Sequence, residues 1–99
     1  MDRDTAIRIL QLAAPELQSR YGVEGVRLFG SVARNSADED SDVDIAVIFA
    51  KPDQGAPMRL CGVSGLLSER FGREVDVVAM PPANPSLEVA IQNDGVDAC

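Results

Sequence analysis

The segment Asp42–Ala50 limits the fold of this chain more than any other part of the sequence. Every residue after Asp44 in this segment is apolar. Successive side chains on a β-strand point to opposite faces of the sheet, so an uninterrupted apolar run predicts a strand that is covered on both faces. The chain must therefore provide further strands beside this central one, together with helices that cover the sheet.

Two more strands and several helices are predicted on either side of this segment. Apolar residues followed by turn-forming residues predict strands over Val23–Phe29 and Glu74–Met80. Apolar residues at helical spacing predict a first helix that is capped by Asp4 and Thr5 and interrupted at Pro15. The remaining predicted elements are a short helix at Pro15–Arg20 before Gly22, a long helix at Ala56–Phe71 before Gly72, a helix at Pro85–Asn93, and a frayed end or short edge strand at Gly95–Cys99.

The connection between Phe29 and Asp42 decides how the strands are paired. It is too short for the helical crossover that joins two parallel neighbours. We therefore expect a chain of the α/β (α+β) class with a small mixed sheet covered by helices, rather than a doubly wound parallel sheet. A chain of 99 residues has room for one core of this kind, which predicts a single domain over residues 1–99.

The amino-acid composition excludes several classes of function. There is no His, which rules out hydrolases that use a His base as well as His-based metal sites. The net charge is −7 and Lys51 is the only lysine, which argues against direct binding of nucleic acid, because a phosphate backbone needs clustered cations. The chemistry of this chain has to use carboxylates, arginines, hydroxyls, backbone amides and hard metal ions.

Nothing in the sequence predicts a membrane or secreted location. The apolar runs Ile45–Ala50 and Val75–Pro82 are too short to cross a bilayer, and the N-terminus lacks a secretory leader. The two cysteines do not form a disulfide framework, and we expect a buried Cys61 and a free Cys99. These features predict a cytoplasmic protein with no membrane partner.

Polar residues that suit phosphate and metal chemistry lie at the ends of two predicted strands. Gly30 and Ser31 close the first strand, where a turn lets backbone N–H groups approach an anion, although the same dipeptide is common in ordinary turns. Asp42 and Asp44 are two residues apart and point to the same face of a strand, where they repel each other unless a cation lies between them. Mg²⁺ would suit such a pair, because it prefers carboxylates together with substrate phosphates.

Asp76 is an acidic residue within an otherwise apolar strand. Taken alone, it fits a water-facing position on an edge strand equally well. If its strand lies beside Asp42–Ala50, Asp76 completes a three-carboxylate cluster that could hold metal ions or accept a proton. The acidic stretch Asp38–Asp40 has a simpler explanation as a solvated loop.

Together these residues resemble the signature of the polymerase-β-like nucleotidyltransferase superfamily. The string at Leu28–Arg34, followed by Ser41–Ile45, is similar to its minimal nucleotidyltransferase (MNT) branch, and the resemblance covers Pro15–Met80. It implies the polymerase-β-like nucleotidyltransferase fold. The family usually has Gly after the arginine, where this chain has Asn35, and Asn is the residue that best tolerates a positive φ.

The resemblance implies a role for each matching residue. The residues that would bind the triphosphate of the substrate ATP are Gly30, Ser31 and Arg34, with bracing of the loop as the alternative role of Arg34. The residues that would be catalytic and would bind Mg²⁺ are Asp42, Asp44 and Asp76. Among them, Asp76 would also activate the incoming hydroxyl.

Many minimal nucleotidyltransferases are antitoxins that transfer AMP from ATP to a tyrosine of a HEPN-domain RNase toxin. The resemblance therefore implies a protein adenylyltransferase with a HEPN-type partner, in a hetero-oligomer. The acidic surface suits a basic, RNA-handling partner. Two alternatives stay open: a non-catalytic antitoxin that neutralises its partner by binding, and a subunit that nucleotidylates a small molecule. The clustered carboxylates favour catalysis, because a simple binding module has no need of them.

Overall fold

Four strands and four helices make up the computed structural model, which describes residues 2–34, 42–50, 55–80 and 85–98. Predictions for residues outside these ranges concern Asn35, Asp38–Asp40, Pro81, Pro82 and Cys99. The elements in chain order are α1 (Arg3–Tyr21), β1 (Val23–Phe29), α2 (Gly30–Ala33), β2 (Val43–Phe49), α3 (Ala56–Phe71), β3 (Val75–Ala79), α4 (Pro85–Asp94) and β4 (Val96–Asp97).

The strands form one mixed sheet in the order β3-β2-β1-β4. β1 is antiparallel to both β2 and β4, whereas β2 and β3 are parallel and are joined through α3. The predicted mixed sheet is therefore confirmed, with the apolar strand β2 in its interior. The C-terminal segment forms the short edge strand β4 rather than a frayed end.

The alternation of side chains along the strands divides the core between the two faces of the sheet. Val43, Ile45 and Val47 of β2 are buried in the main core, where helices α1 and α3 cover the sheet. Ala46 points the other way and packs with Phe29 and with Ile91 of α4 in a smaller cluster. The α1/α3 face thus carries most of the core, and α4 covers part of the opposite face.

Helix α1 runs through Pro15 without ending, which corrects the prediction of two shorter helices. The cost of the missing proline N–H is outweighed because one buried stripe continues across it. The members of this stripe, all fully buried, are Ala6, Leu10, Ala13 and Leu17. The helix also begins earlier than predicted, because the N-cap is Asp2, whose carboxylate accepts the Thr5 N–H at 2.8 Å.

Helix α3 has the predicted bounds and ends at Gly72 in the left-handed conformation. Gly62 lies where α3 approaches α1, and a Cβ at this position would overlap the ring of Tyr21. The prediction that Cys61 is buried is wrong, because its side chain is exposed. Cys61 precedes the buried Val63 by two residues, about 200° around the helix, so it lies on the outer side.

Arg27 attaches the C-terminal segment to the centre of the sheet. Its Nε donates to the Ile91 carbonyl at 3.1 Å, and its Nη2 donates to the Gly95 carbonyl at 3.1 Å. Its Nη1 forms an ion pair with Asp97 at 2.9 Å. The guanidinium therefore joins β1 to the end of α4 and to β4.

None of the helices within the described ranges has the length and apolarity needed to span a membrane.

Candidate functional site

The pairing of the strands brings the predicted site residues to one end of the sheet. Phe29, the last residue of β1, is paired with Asp44 of β2, and Asp44 is paired with Asp76 of β3. Gly30 follows Phe29 directly, and Asp42 immediately precedes β2. The site therefore lies where β1 ends and where β2 and β3 begin.

The two strand aspartates lie on the sheet face opposite α1 and α3. Val43 and Ile45 flank Asp44 and point into the main core, so Asp44 points to the other face. The same alternation applies to Asp76, which follows the buried Val75. Asp44 is half-buried, and both Asp42 and Asp76 are exposed. The carboxylates are thus reachable from solvent while their strands are fixed by the core.

Gly30 makes room for the carboxylate of Asp44. Its φ is +77°, a conformation that side chains with a Cβ rarely adopt. A Cβ at this position would also overlap the carboxylate of Asp44. The glycine is therefore required both by the turn and by the close approach of the turn to β2. This second requirement comes from the pairing of β1 with β2, and no local sequence signal indicated it.

Helix α2 follows Gly30 and occupies Gly30–Ala33. Its Val32 and Ala33 are buried and anchor it to the core, whereas Ser31 is half-buried. Arg34 ends the helix and is exposed, and its N–H donates to the Gly30 carbonyl at 3.1 Å. The predicted strand-to-helix turn is present, and it places the nucleotide-binding candidates next to the carboxylates.

The environment of Asp44 favours its protonated form. Burial is the largest cause of the raised pKa of Asp44, and the negative charges of Asp76 and Asp42 raise it further. The positive charge of Arg34 acts in the opposite direction and lowers the pKa. The balance leaves a concentration of negative charge that a bound cation would relieve.

The donor set at this end of the sheet fits a hard divalent cation such as Mg²⁺. The carboxylates of Asp42, Asp44 and Asp76 offer only oxygen atoms as ligands. A cation bound between them would reduce the repulsion that Asp44 experiences from the other two. Among the residues that the structure describes, no three acidic or thiol side chains enclose a metal site by themselves. Mg²⁺ usually keeps water and substrate phosphates as ligands, so a partial set of carboxylates is compatible with it.

Comparison with known proteins identifies the family to which this chain is similar. Residues 10–98 match the model of the nucleotidyltransferase domain. A protein adenylyltransferase, MntA, from Thermococcus cleftensis is 51% identical over 70 residues, which cover 71% of this chain and 69% of that protein.

Solved structures share the fold. One solved structure, assigned as a minimal nucleotidyltransferase, is 32% identical in sequence and superposes with a TM-score of 0.75. The superposition covers 97% of this chain and 95% of the solved chain. A second comes from the complex of a tri-AMPylated Shewanella oneidensis HEPN toxin with an MNT antitoxin. It superposes with a TM-score of 0.64 at 20% sequence identity, and the superposition covers 94% of this chain and 71% of the solved chain. At that identity the second likeness concerns the fold alone.

Proposed function

The chain belongs to the nucleotidyltransferase domain family, and from this membership we propose that it is a Mg²⁺-dependent protein adenylyltransferase. It transfers AMP from ATP to a tyrosine hydroxyl of a HEPN-domain toxin and thereby acts as an antitoxin. The observation that carries the proposal is the pairing of Asp44 with Asp76 beside the Gly30 turn. This arrangement supports the proposal because the residues that we propose for phosphate and metal binding share one solvent-accessible face.

Each residue of the site has a task in this reaction. The hydroxyl oxygen of the acceptor attacks the α-phosphorus of ATP, and the bond from that phosphorus to the pyrophosphate leaving group breaks. The carboxylate of Asp76 accepts the proton of the hydroxyl. The residues that hold the triphosphate are Gly30, Ser31 and Arg34. Asp42 and Asp44, with Asp76 in support, would hold Mg²⁺, which would supply neutralisation of the charge on the phosphates.

The proposal of a HEPN-type partner is supported by the similar proteins and by the charge of this chain. The Thermococcus relative carries the name of a protein adenylyltransferase, and the Shewanella structure contains an AMPylated HEPN toxin. The net charge of −7 suits association with a basic protein in a hetero-oligomer and disfavours direct contact with nucleic acid.

The domain, residues 1–99, acts in the cytoplasm, where ATP is available and the exposed thiol of Cys61 stays reduced.

The test is intact-mass spectrometry of a HEPN-domain protein from the source organism, after incubation with the chain, Mg²⁺ and ATP. We expect the mass of the acceptor to rise in steps of one AMP. The double variant Asp42→Asn/Asp44→Asn should give no step, yet stay folded, because it removes two charges that repel each other.

The matched control is Glu24→Gln/Glu69→Gln, which removes two exposed charges outside the site. This control should transfer AMP at the wild-type rate. Transfer by the double aspartate variant would contradict the assignment of the carboxylates. Co-purification with the partner and no AMP step, even for the wild type, would indicate the alternative antitoxin that acts by binding alone.

A further inference from the structure

Strand β3 forms one edge of the sheet, since it is paired only with β2 among the described strands. The Met80 N–H donates to the Val47 carbonyl at 2.8 Å, which fixes the direction of the backbone groups. Because these groups alternate along a strand, Asp76, Val78 and Met80 direct their N–H and C=O groups toward β2. The backbone groups that face outward from the edge are those of Val75, Val77 and Ala79.

The order of the strands matches the order of the groups in the proposed reaction. Gly30 follows β1, Asp44 lies on β2, and Asp76 lies on β3. The nucleotide phosphates and the metal ion would therefore lie mainly beside β1 and β2. An acceptor hydroxyl that gives its proton to Asp76 can approach from the outer side of β3, which is the side away from the phosphates.

We propose that the outer edge of β3 binds an extended segment of the acceptor protein, which joins the sheet as an added strand. The inference rests on the proposed function, because it identifies how that function receives its acceptor. Adjacent strands place directly opposite side chains about 5 Å apart. A hydroxyl side chain opposite Asp76, on the same face, would therefore lie next to the carboxylate that accepts its proton.

The composition of β3 supports this role. Edge strands of natural proteins are commonly protected from pairing by charged side chains, proline or a bulge. The only charged residue in the sequence VDVVA of β3 is Asp76, whose role is the site itself, and the strand has no proline and pairs regularly with β2. Its backbone groups are thus suited to β-strand addition, in which main-chain hydrogen bonds supply affinity.

The charge around this edge defines the chemistry of the segment. Asp76 and the neighbouring Glu74 are exposed, and Asp42 lies exposed at the same end of the sheet. These negative charges would attract a segment that carries lysine or arginine on either side of its hydroxyl residue. The occupant is therefore an extended, basic segment of the acceptor protein that contains one hydroxyl residue opposite Asp76.

The first test is amide hydrogen exchange of the wild-type chain by NMR, with and without the same HEPN-domain protein. Strand addition should slow the exchange of the outward amides of Val75, Val77 and Ala79. The inward amides of Asp76 and Val78 are already bonded to β2 and should change little. Unchanged exchange of the outward amides, or equal slowing of both sets, would overturn the proposal.

The second test compares Ala79→Pro, which removes one outward N–H, with Ala79→Ser, which keeps it. Proline is tolerated on an edge strand when its missing N–H faces outward. We expect Ala79→Pro to lower kcat/KM for the acceptor about tenfold, through the lost backbone bond and the bulk of the ring at the edge. Binding of Mg²⁺ with ATP should be unchanged, because Ala79 lies at the opposite end of β3 from Asp76 and the Gly30 turn lies two strands away.

The two variants also separate this proposal from the proposed function. Wild-type activity with equal kcat/KM for Ala79→Pro and Ala79→Ser would remove the docking role and leave the adenylyltransferase intact. If the wild type transfers no AMP, the proposed function fails. The alternating pattern of amide exchange then still decides whether the edge binds the acceptor.

Discussion

At the residue scale, Asp44 and Asp2 respond to their surroundings in opposite ways. Burial and the charges of Asp76 and Asp42 raise the pKa of Asp44 above 3.8. The hydrogen bonds with Thr5 lower the pKa of Asp2 below 3.8. One carboxylate is therefore held in an unfavourable site that suits a cation, whereas the other stabilises the start of α1.

These shifts predict opposite dependences of stability on pH. The contribution of Asp44 to the free energy of unfolding is fully present below pH 3.8 and is lost as pH rises through its folded pKa. That of Asp2 is present above pH 3.8 and is lost as pH falls through its folded pKa. Urea unfolding between acid and neutral pH, without metal, tests both.

We expect Asp44→Asn to be more stable than the wild type at neutral pH, with the difference shrinking in acid. Asp2→Asn should show the reverse trend, with its largest loss of stability at neutral pH. If both variants differed from the wild type by an amount independent of pH, the assignment of these two shifts would be incorrect.

At the scale of elements, two glycines of α3 have different reasons to be present. A Cβ at Gly62 would overlap the ring of Tyr21 from α1, whereas a Cβ at Gly65 would meet nothing within 4 Å. Helix propensity alone would therefore misjudge Gly62. Its small size is needed where the two helices meet, and Gly65 lies on an exposed part of the helix.

The two alanine substitutions should change stability in opposite directions. Gly62→Ala is expected to lower the free energy of unfolding by about 1–3 kcal/mol, because Tyr21 must move. Gly65→Ala should raise it by about 0.5–1 kcal/mol, because alanine loses less backbone entropy in a helix. Urea unfolding of both variants measures the difference, and a stabilising effect of Gly62→Ala would show that α1 and α3 have room to separate.

At the scale of the whole molecule, Arg27 joins parts of the chain that are 64 to 70 residues apart. Its side chain is 29% exposed and makes three hydrogen bonds. Arg20, by comparison, is 60% exposed and pairs with Glu16 within one helix. The first arginine fixes the C-terminal segment to β1, and the second contributes a surface ion pair.

Arg27→Gln should lower the free energy of unfolding by about 1–3 kcal/mol, because it removes donors from partly buried carbonyls. Arg20→Gln should lower it by less than about 0.5 kcal/mol. Limited proteolysis should also cut the Arg27 variant within α4 or β4 sooner than the wild type. Equal resistance of the Arg27 variant and the wild type would mean that packing around Ile91 and the backbone pairing of β4 with β1 hold this segment without Arg27.

Much of the fold follows from local sequence. The bounds of β1 and α3 agree with prediction, and β2, β3 and α4 differ by single residues at their ends. These elements have strong period-two or helical apolar patterns and clear terminal residues such as Gly22 and Gly72. The predicted start of α1 is two residues too late, since Asp2 is the N-cap. The failed predictions at Pro15 and Cys61 depended on which face of a helix the rest of the molecule buries.

Spacing, composition and turn residues act over short distances, so the sequence predicts most of the elements, the mixed sheet and the acidic character of the candidate site. The position of β3 beside β2, the register that pairs Asp76 with Asp44 and the room that Gly30 leaves for that carboxylate become visible only in the folded chain. Strand order and register are set by packing between residues far apart in the chain. A one-residue slip would send every strand side chain to the other face and disperse the site.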